Sequence, residues 1–215
     1  MKIGVFDSGI GGLSVVNAIQ KELPELEIIF KNDKEHLPYG SKTTDQLFNL
    51  SRPILESLVD DGCGVIVIAC NSVSTNIIED LRKVINVPLI AMEPMVKPAA
   101  ELTKTNTIAV CATPATLASN RYRFLKEEYA KGVKVLEPNC SNWSSMIENN
   151  EIDHENIKDL TNRVCEEGAD VIVLGCTHYH WIEEEIAQIA QGRAVIIQPE
   201  KPVIEQLKRV IEQLN

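Results

Sequence analysis

The chain has 215 residues, a formal net charge of −10, and 44% hydrophobic against 24% charged residues, the proportions of a soluble globular protein. So acidic a surface repels nucleic acid, and no apolar run is long enough to span a membrane. The opening MKIGVFDSG enters a strand without the apolar stretch of an export signal, and the six cysteines include no CxxC pair, so they read as reduced thiols of a cytoplasmic protein.

In chain order, IGVFD (3–7) reads as a strand and GGLSVVNAIQKEL (11–23) as a helix, with apolar positions at 13, 16, 19 and 23. EIIFKND (27–33) is a strand. A helix is expected over 43–62, stopped by Gly62 and with Pro53 as a possible kink. VIVIAC (65–70) is too apolar to alternate, which marks a central parallel strand covered on both faces. A helix over 72–85 and the strand PLIAM (88–92) follow. The pattern then restarts. TIAVCAT (107–113), a helix near 114–129, VKVLEP (133–138), a helix near 154–167, VIVLGC (171–176), a helix near 181–191, AVIIQP (194–199) and a closing helix over 202–214 come in order.

The restart is a duplication. DDGCGVIVIACNS (60–72) aligns without a gap on EEGADVIVLGCTH (166–178), which sets Cys70 against Cys176, and IGVFDSG (3–9) aligns on IAVCATP (108–114) at nearly the same offset. Repeated βαβ units predict an α/β fold of two pseudo-symmetric lobes, each a mostly parallel sheet flanked by helices, with the active site in the cleft between them. The first lobe is expected over 1–95, joined by the C-terminal segment 200–215, and the second over 96–199.

Each copy of the repeated motif ends a buried strand with a cysteine just before a helix. Open α/β sheets bind their ligands at that end, and a helix N-terminus is expected to depress a thiol's pKa. A single cysteine there is more commonly a small core residue. Two of them, each followed by a polar pair (Asn71–Ser72 and Thr177–His178), point to chemistry instead. Two such thiols facing one cleft suit the inversion of a stereocentre, in which one removes a proton and the other delivers one from the opposite face.

Around them, FDSGIGGLSV (6–15) joins the first strand to the first helix. Its glycines at 9, 11 and 12 allow close approach of a ligand, yet the stretch matches neither a phosphate loop nor a dinucleotide fingerprint. Asp7 ends its strand level with Cys70, where it could orient or deprotonate that thiol; Asp7–Ser8 also reads as a helix cap. Thr113 and Thr116 open the matching helix of the second repeat, suited equally to a carboxylate or to capping. CTHYH offers Cys176, His178 and His180 within five residues, but zinc-type spacing is absent and no metal is expected.

GVFDSGIGGLSV, LPYGSKT, ACNS, EPMVKPA, ATPATLAS and LGCTHY stand in the order and spacing of the cofactor-independent glutamate racemases, a resemblance that covers nearly the whole chain. It implies interconversion of L- and D-glutamate by two cysteines without pyridoxal phosphate or other cofactor, in a cytoplasmic homodimer that supplies D-glutamate to peptidoglycan. It also implies catalytic roles for Cys70, Cys176, Asp7 and His178. Substrate contacts are implied for Asp7, Ser8, Pro38, Tyr39, Gly40, Cys70, Asn71, Ser72, Thr113, Thr116, Cys176, Thr177 and His178. Glu148 matches a family glutamate only loosely, in surroundings that differ. Ser72 replaces a usual threonine, His180 a usual proline, and Gln198–Pro199 a usual Asp-Ser-type turn. The chain is also expected to stop some tens of residues short of the family's length. Two other readings stay open: an aspartate racemase or related two-cysteine isomerase, and an amino-acid-binding protein without turnover.

Overall fold

The alternation of strands and helices is realised as two four-stranded parallel sheets in a computed structural model that describes residues 1–214. The first contains β1 (Lys2–Asp7), β2 (Glu27–Asn32), β3 (Cys63–Ile68) and β4 (Leu89–Ala91), in the order β2-β1-β3-β4. The second contains β5 (Thr107–Ala112), β6 (Lys134–Leu136), β7 (Val171–Gly175) and β8 (Val195–Ile197), in the order β6-β5-β7-β8. The orders are the same, as a duplication requires.

The continuous apolar runs are explained by two-sided burial. Along β3 and the residues after it, Ile66, Ile68 and Cys70 face a core built with Leu55 and Leu58 of α2 (Thr44–Asp60) and Val73 and Ile77 of α3 (Asn71–Val84). Val65, Val67 and Ala69 face the other side, against Val15 and Ile19 of α1 (Gly12–Glu22). The same alternation divides β7: Ile172, Leu174 and Cys176 on one face, Val171 and Val173 on the other. The strand period of two therefore puts both cysteines on corresponding faces.

Several elements differ from the sequence reading. A helix not anticipated from sequence, α4 (Val96–Leu102), follows β4, and its Val96 and Ala99 enter the core of the second sheet. The single helix expected near 114–129 is two, α5 (Pro114–Ala118) and α6 (Asn120–Tyr129). They break at Ser119, an extended residue whose hydroxyl donates to Thr116 O at 2.7 Å and accepts from Tyr122 N at 3.1 Å. That local bonding competes with a continuous helix. α2 runs unbroken through Pro53 and is opened by a capping box between Thr43 and Gln46. A short helix not anticipated, α7 (Trp143–Glu148), buries Trp143 edge-on to Tyr179 with ring centroids 5.2 Å apart.

The chain continues through α8 (His154–Glu166), a 3-10 turn over Thr177–Ile182, α9 (Glu183–Ala190) and α10 (Glu200–Leu214). Val203, Ile204 and Leu207 of α10 are buried among Val15, Ile19, Val65, Val67 and Ile90 of the first sheet's core.

Candidate active site

The carboxyl ends of β3 and β7 open on one cleft of about 480 Å³. Of the thirteen residues named from sequence, twelve line it; only Thr116 does not. Fully buried, Thr116 instead accepts a hydrogen bond from the Thr113 hydroxyl at 3.1 Å and so stands behind the wall. Thr113 in turn shares a 2.9 Å hydrogen bond with the Ser72 hydroxyl across the two sheets' helices.

Cys70 sits at the N-cap of α3, with its thiol 3.7 Å from the Ser8 hydroxyl. The expected depression of its pKa is not found. Burial and the nearby Asp7 carboxylate push the thiol up to about 12, and the N–H of Val73 and the Ser8 hydroxyl offset only part of this. Desolvation of an anion outweighs a few favourable dipoles here. Asp7 makes no hydrogen bond to Cys70. It is fully buried, accepts from the N–H groups of Gly9 (3.2 Å) and Gly12 (2.9 Å) through Oδ2, and from the Thr177 hydroxyl (3.3 Å) through Oδ1. Burial raises its pKa; His178 and the backbone donors act against that rise.

The second thiol has a different partner. Cys176 lies 3.9 Å from Nδ1 of His178, and His178 Nε2 lies 2.8 Å from Glu148 Oε2. The same carboxylate oxygen accepts from Ile10 N at 2.8 Å. Burial alone would lower the imidazole's pKa, but the hydrogen bonds to Cys176 and Glu148 win and lift it to about 10. Glu148 also feels the desolvation that raises a carboxyl, and is nonetheless held below its usual value by His178 and Ile10 N–H.

Gly9 and Gly11 make room for the opposite lobe, whereas Gly12 makes room for Asp7 and Phe30 of its own. A Cβ on Gly9 would collide with Glu148 Oε2 and His178 Nε2, and one on Gly11 would lie 2.6 Å from the backbone nitrogen of His178. Their absent side chains let residues 176–178 press against the first strand-helix turn. A Cβ on Gly40 would likewise lie 2.8 Å from the Cβ of Thr113.

Tyr39 walls the cleft but does not offer its hydroxyl, which donates to Asp33 at 2.7 Å. Burial and that acceptor hold the phenol far above its usual range. Pro38 follows a cis peptide bond and sits on the rim. Asn71 is the opposite case: it is 2% exposed, and both polar atoms of its amide lack a partner among the described residues. Glu148 enters the site with Ser144, Ser145 and Asn149, and Lys34 joins from the first lobe. The buried Trp143, Met146 and Ile147 that dock α7 were the available signal for this wall.

Parallel sheets in duplicate, with a thiol at the end of the equivalent strand of each, bring two cysteines to one cleft of an α/β scaffold. The model of the Asp/Glu/Hydantoin racemase family matches residues 3–212, and the chain belongs to that family. Relatives include the glutamate racemases of Clostridium acetobutylicum, 36% identical over 218 residues (99% of this chain, 85% of that one), and of Herpetosiphon aurantiacus, 35% identical over 213 residues (97% and 84%). Among solved structures, Escherichia coli glutamate racemase in complex with L-glutamate and the activator UDP-MurNAc-Ala superposes with a TM-score of 0.91 at 26% identity, covering 98% of this chain and 82% of that one. Glutamate racemase of Francisella tularensis in complex with D-glutamate gives 0.82 at 29% identity, covering 99% and 81%.

Proposed function

We propose that the protein interconverts L- and D-glutamate by two-base proton transfer between Cys70 and Cys176, without cofactor, and so supplies D-glutamate for peptidoglycan in the cytoplasm. The observation that carries the mechanism is the pair of thiols at equivalent strand ends of two sheets, lining one cleft, each with its own proton-handling neighbours. Substrate bound between the lobes 1–95 with 200–215 and 96–199 presents its α-carbon to both. One thiolate takes the α-proton and the opposite thiol returns one to the other face, the roles exchanging with direction. His178, held by Glu148, moves a proton at Cys176; Asp7, through its nearby charge, tunes Cys70.

The unpartnered amide of Asn71 supports an amino-acid ligand. Leaving such groups buried and unpaired costs about 1–3 kcal/mol each, a cost that a substrate's carboxylate and ammonium relieve. Ser8, Ser72, Thr113 and Thr177 add hydroxyls, the free N–H groups at the start of α3 favour a carboxylate, and Gly40 contributes through its backbone. Family resemblance is the ground for expecting a homodimer, which sedimentation tests. Circular dichroism of L- and D-glutamate, with both enantiomers of aspartate in parallel, tests the activity. Aspartate turned over as efficiently as glutamate overturns the substrate assignment; no turnover of either overturns the enzyme.

A further inference from the structure

Three successive ties join residues 177–180 to the first lobe. Thr177 donates to Asp7; His178 reaches Ile10 through Glu148; and His180 Nδ1 lies 3.0 Å from the Ser14 hydroxyl of α1. The first two lie at the cleft. The third does not, and the reaction described above makes no use of it.

His180 is deeply buried, with 2% of its side chain exposed, and Nδ1 also lies 3.0 Å from Glu200 Oε1 in the first turn of α10. Glu200 Oε2 accepts from Gln198 Nε2 at 3.0 Å, and Gln198 Oε1 accepts from Glu200 N at 2.8 Å. His180 and Gln198 are thus in one cluster, and both stand where the sequence departs from the pattern it otherwise resembles. Burial raises the Glu200 carboxyl, but His180, Gln198 and Ser14 together bring it below its usual value, so it is a carboxylate. A carboxylate only accepts, which assigns the Nδ1 proton of His180 to Glu200 and leaves the Ser14 hydroxyl to donate to the same carboxylate. The half-buried Glu183 faces the same cluster.

The turn that carries these residues, Thr177–Ile182, is a 3-10 run of six residues with no side-chain cap. Such runs have poorer hydrogen-bond geometry than an α-helix and rarely exceed four residues. Its orientation therefore depends on outside ties, and His180 is the tie to two helices at once. We propose that His180, clamped between Ser14 and Glu200, is a positioning residue that fixes the 177–182 turn and thereby places His178 against Cys176. The proposal rests on the racemase reading given above.

Turnover and a ring titration test it together. A displacement of ~1 Å at reacting groups costs up to ~10²-fold in rate, so the partial loosening in His180→Ala should lower kcat about tenfold with KM within twofold. His180→Asn, whose amide can still donate to Glu200, should recover most of the loss. In ring-labelled protein the His178 titration midpoint should fall from about 10 in His180→Ala by at least about half a unit. Ser14→Ala removes one hydroxyl from a helix that tolerates alanine, and should shift the midpoint in the same direction if His180→Ala does not fold. The proposal is overturned if the His178 midpoint is unmoved in the folded variants, if asparagine is no better than alanine, or if the loss is confined to KM. Should the parent fail to racemise glutamate or aspartate, the function above falls, and the titration alone decides the clamp.

Discussion

Gly11→Ala isolates the interlobe contact from backbone conformation. Gly11 has φ −52° and ψ −40°, angles any residue adopts, so alanine meets no backbone strain there. The obstacle is steric only. The added Cβ would lie 2.6 Å from His178 N and 2.7 Å from both His178 Nδ1 and Thr177 Oγ1, whereas ordinary contact begins at 3.4 Å. The turn bearing His178 must retreat by about 0.8 Å, the difference between 2.6 and 3.4 Å. Overpacking of that kind costs ~1–3 kcal/mol, and for a chain of this length each kcal/mol lowers Tm by ~2–4 °C. A shift near 1 Å beside a proton-transfer group also costs up to ~10²-fold in kcat. The control is Gly132→Ala, at φ +81° with nothing within 4 Å. There the left-handed backbone costs ~1–2 kcal/mol and touches no site. Thermal unfolding and racemisation by circular dichroism should find both variants destabilised but only Gly11→Ala slow. A Gly11→Ala enzyme with kcat within twofold of the parent would refute the claim that this glycine exists to let His178 approach.

Cys70→Ser and Cys176→Ser should each abolish racemisation, since serine is a far weaker acid than cysteine; NMR in deuterium oxide should find any residual α-proton exchange favouring opposite enantiomers in the two, and near-parental racemisation in either would remove that cysteine from the mechanism. Glu148→Gln should lower the His178 midpoint and kcat together, read by ring titration and initial rates, because one of the bonds that lifts His178 is weakened. The raised His178 binds its proton more tightly folded than unfolded, so its contribution to stability is full below 6.5 and is lost as pH climbs to about 10; Tm should fall across that window, and less steeply in His178→Asn. Deleting 202–215 should prevent a cooperative unfolding transition, because burying Val203, Ile204 and Leu207 is worth ~1.5–3 kcal/mol each against a total margin of ~5–15 kcal/mol.

The strands were legible because their signal is local. VIVIAC and VIVLGC are apolar at every position, and only a strand covered on both faces requires that. The cysteines were legible because the motif is written twice. α7 was not, since SNWSSMIENN has no sustained helical period and is held by Trp143 docking on Tyr179, a contact made across 36 residues of sequence. For the same reason Glu148 was matched only loosely, although it bonds both His178 and Ile10. The direction of the Cys70 pKa was misjudged from a helix start, because the burial that raises it depends on the closed cleft, which no motif displays, and the Asp7 charge raises it further. The purpose of Gly9 and Gly11 was missed because their neighbours come from the other half of the chain.

The duplication places two like groups on corresponding faces, but it does not make their surroundings alike. In the aligned repeat His178 takes the place of Ser72, so only the second copy carries an imidazole beside its thiol. Asp7, for its part, has a counterpart in the apolar end of β5, near Ala112. The cleft therefore holds a thiol near a buried carboxylate on one side and a thiol near an imidazole–carboxylate pair on the other. The backbone repeat accounts for the geometry that the proposed two-faced proton transfer needs. Divergence at the residues beside each cysteine gives the two thiols unlike neighbours, a buried carboxylate for Cys70 and an imidazole for Cys176, and these are the groups through which the proposed transfer would be supplied with protons.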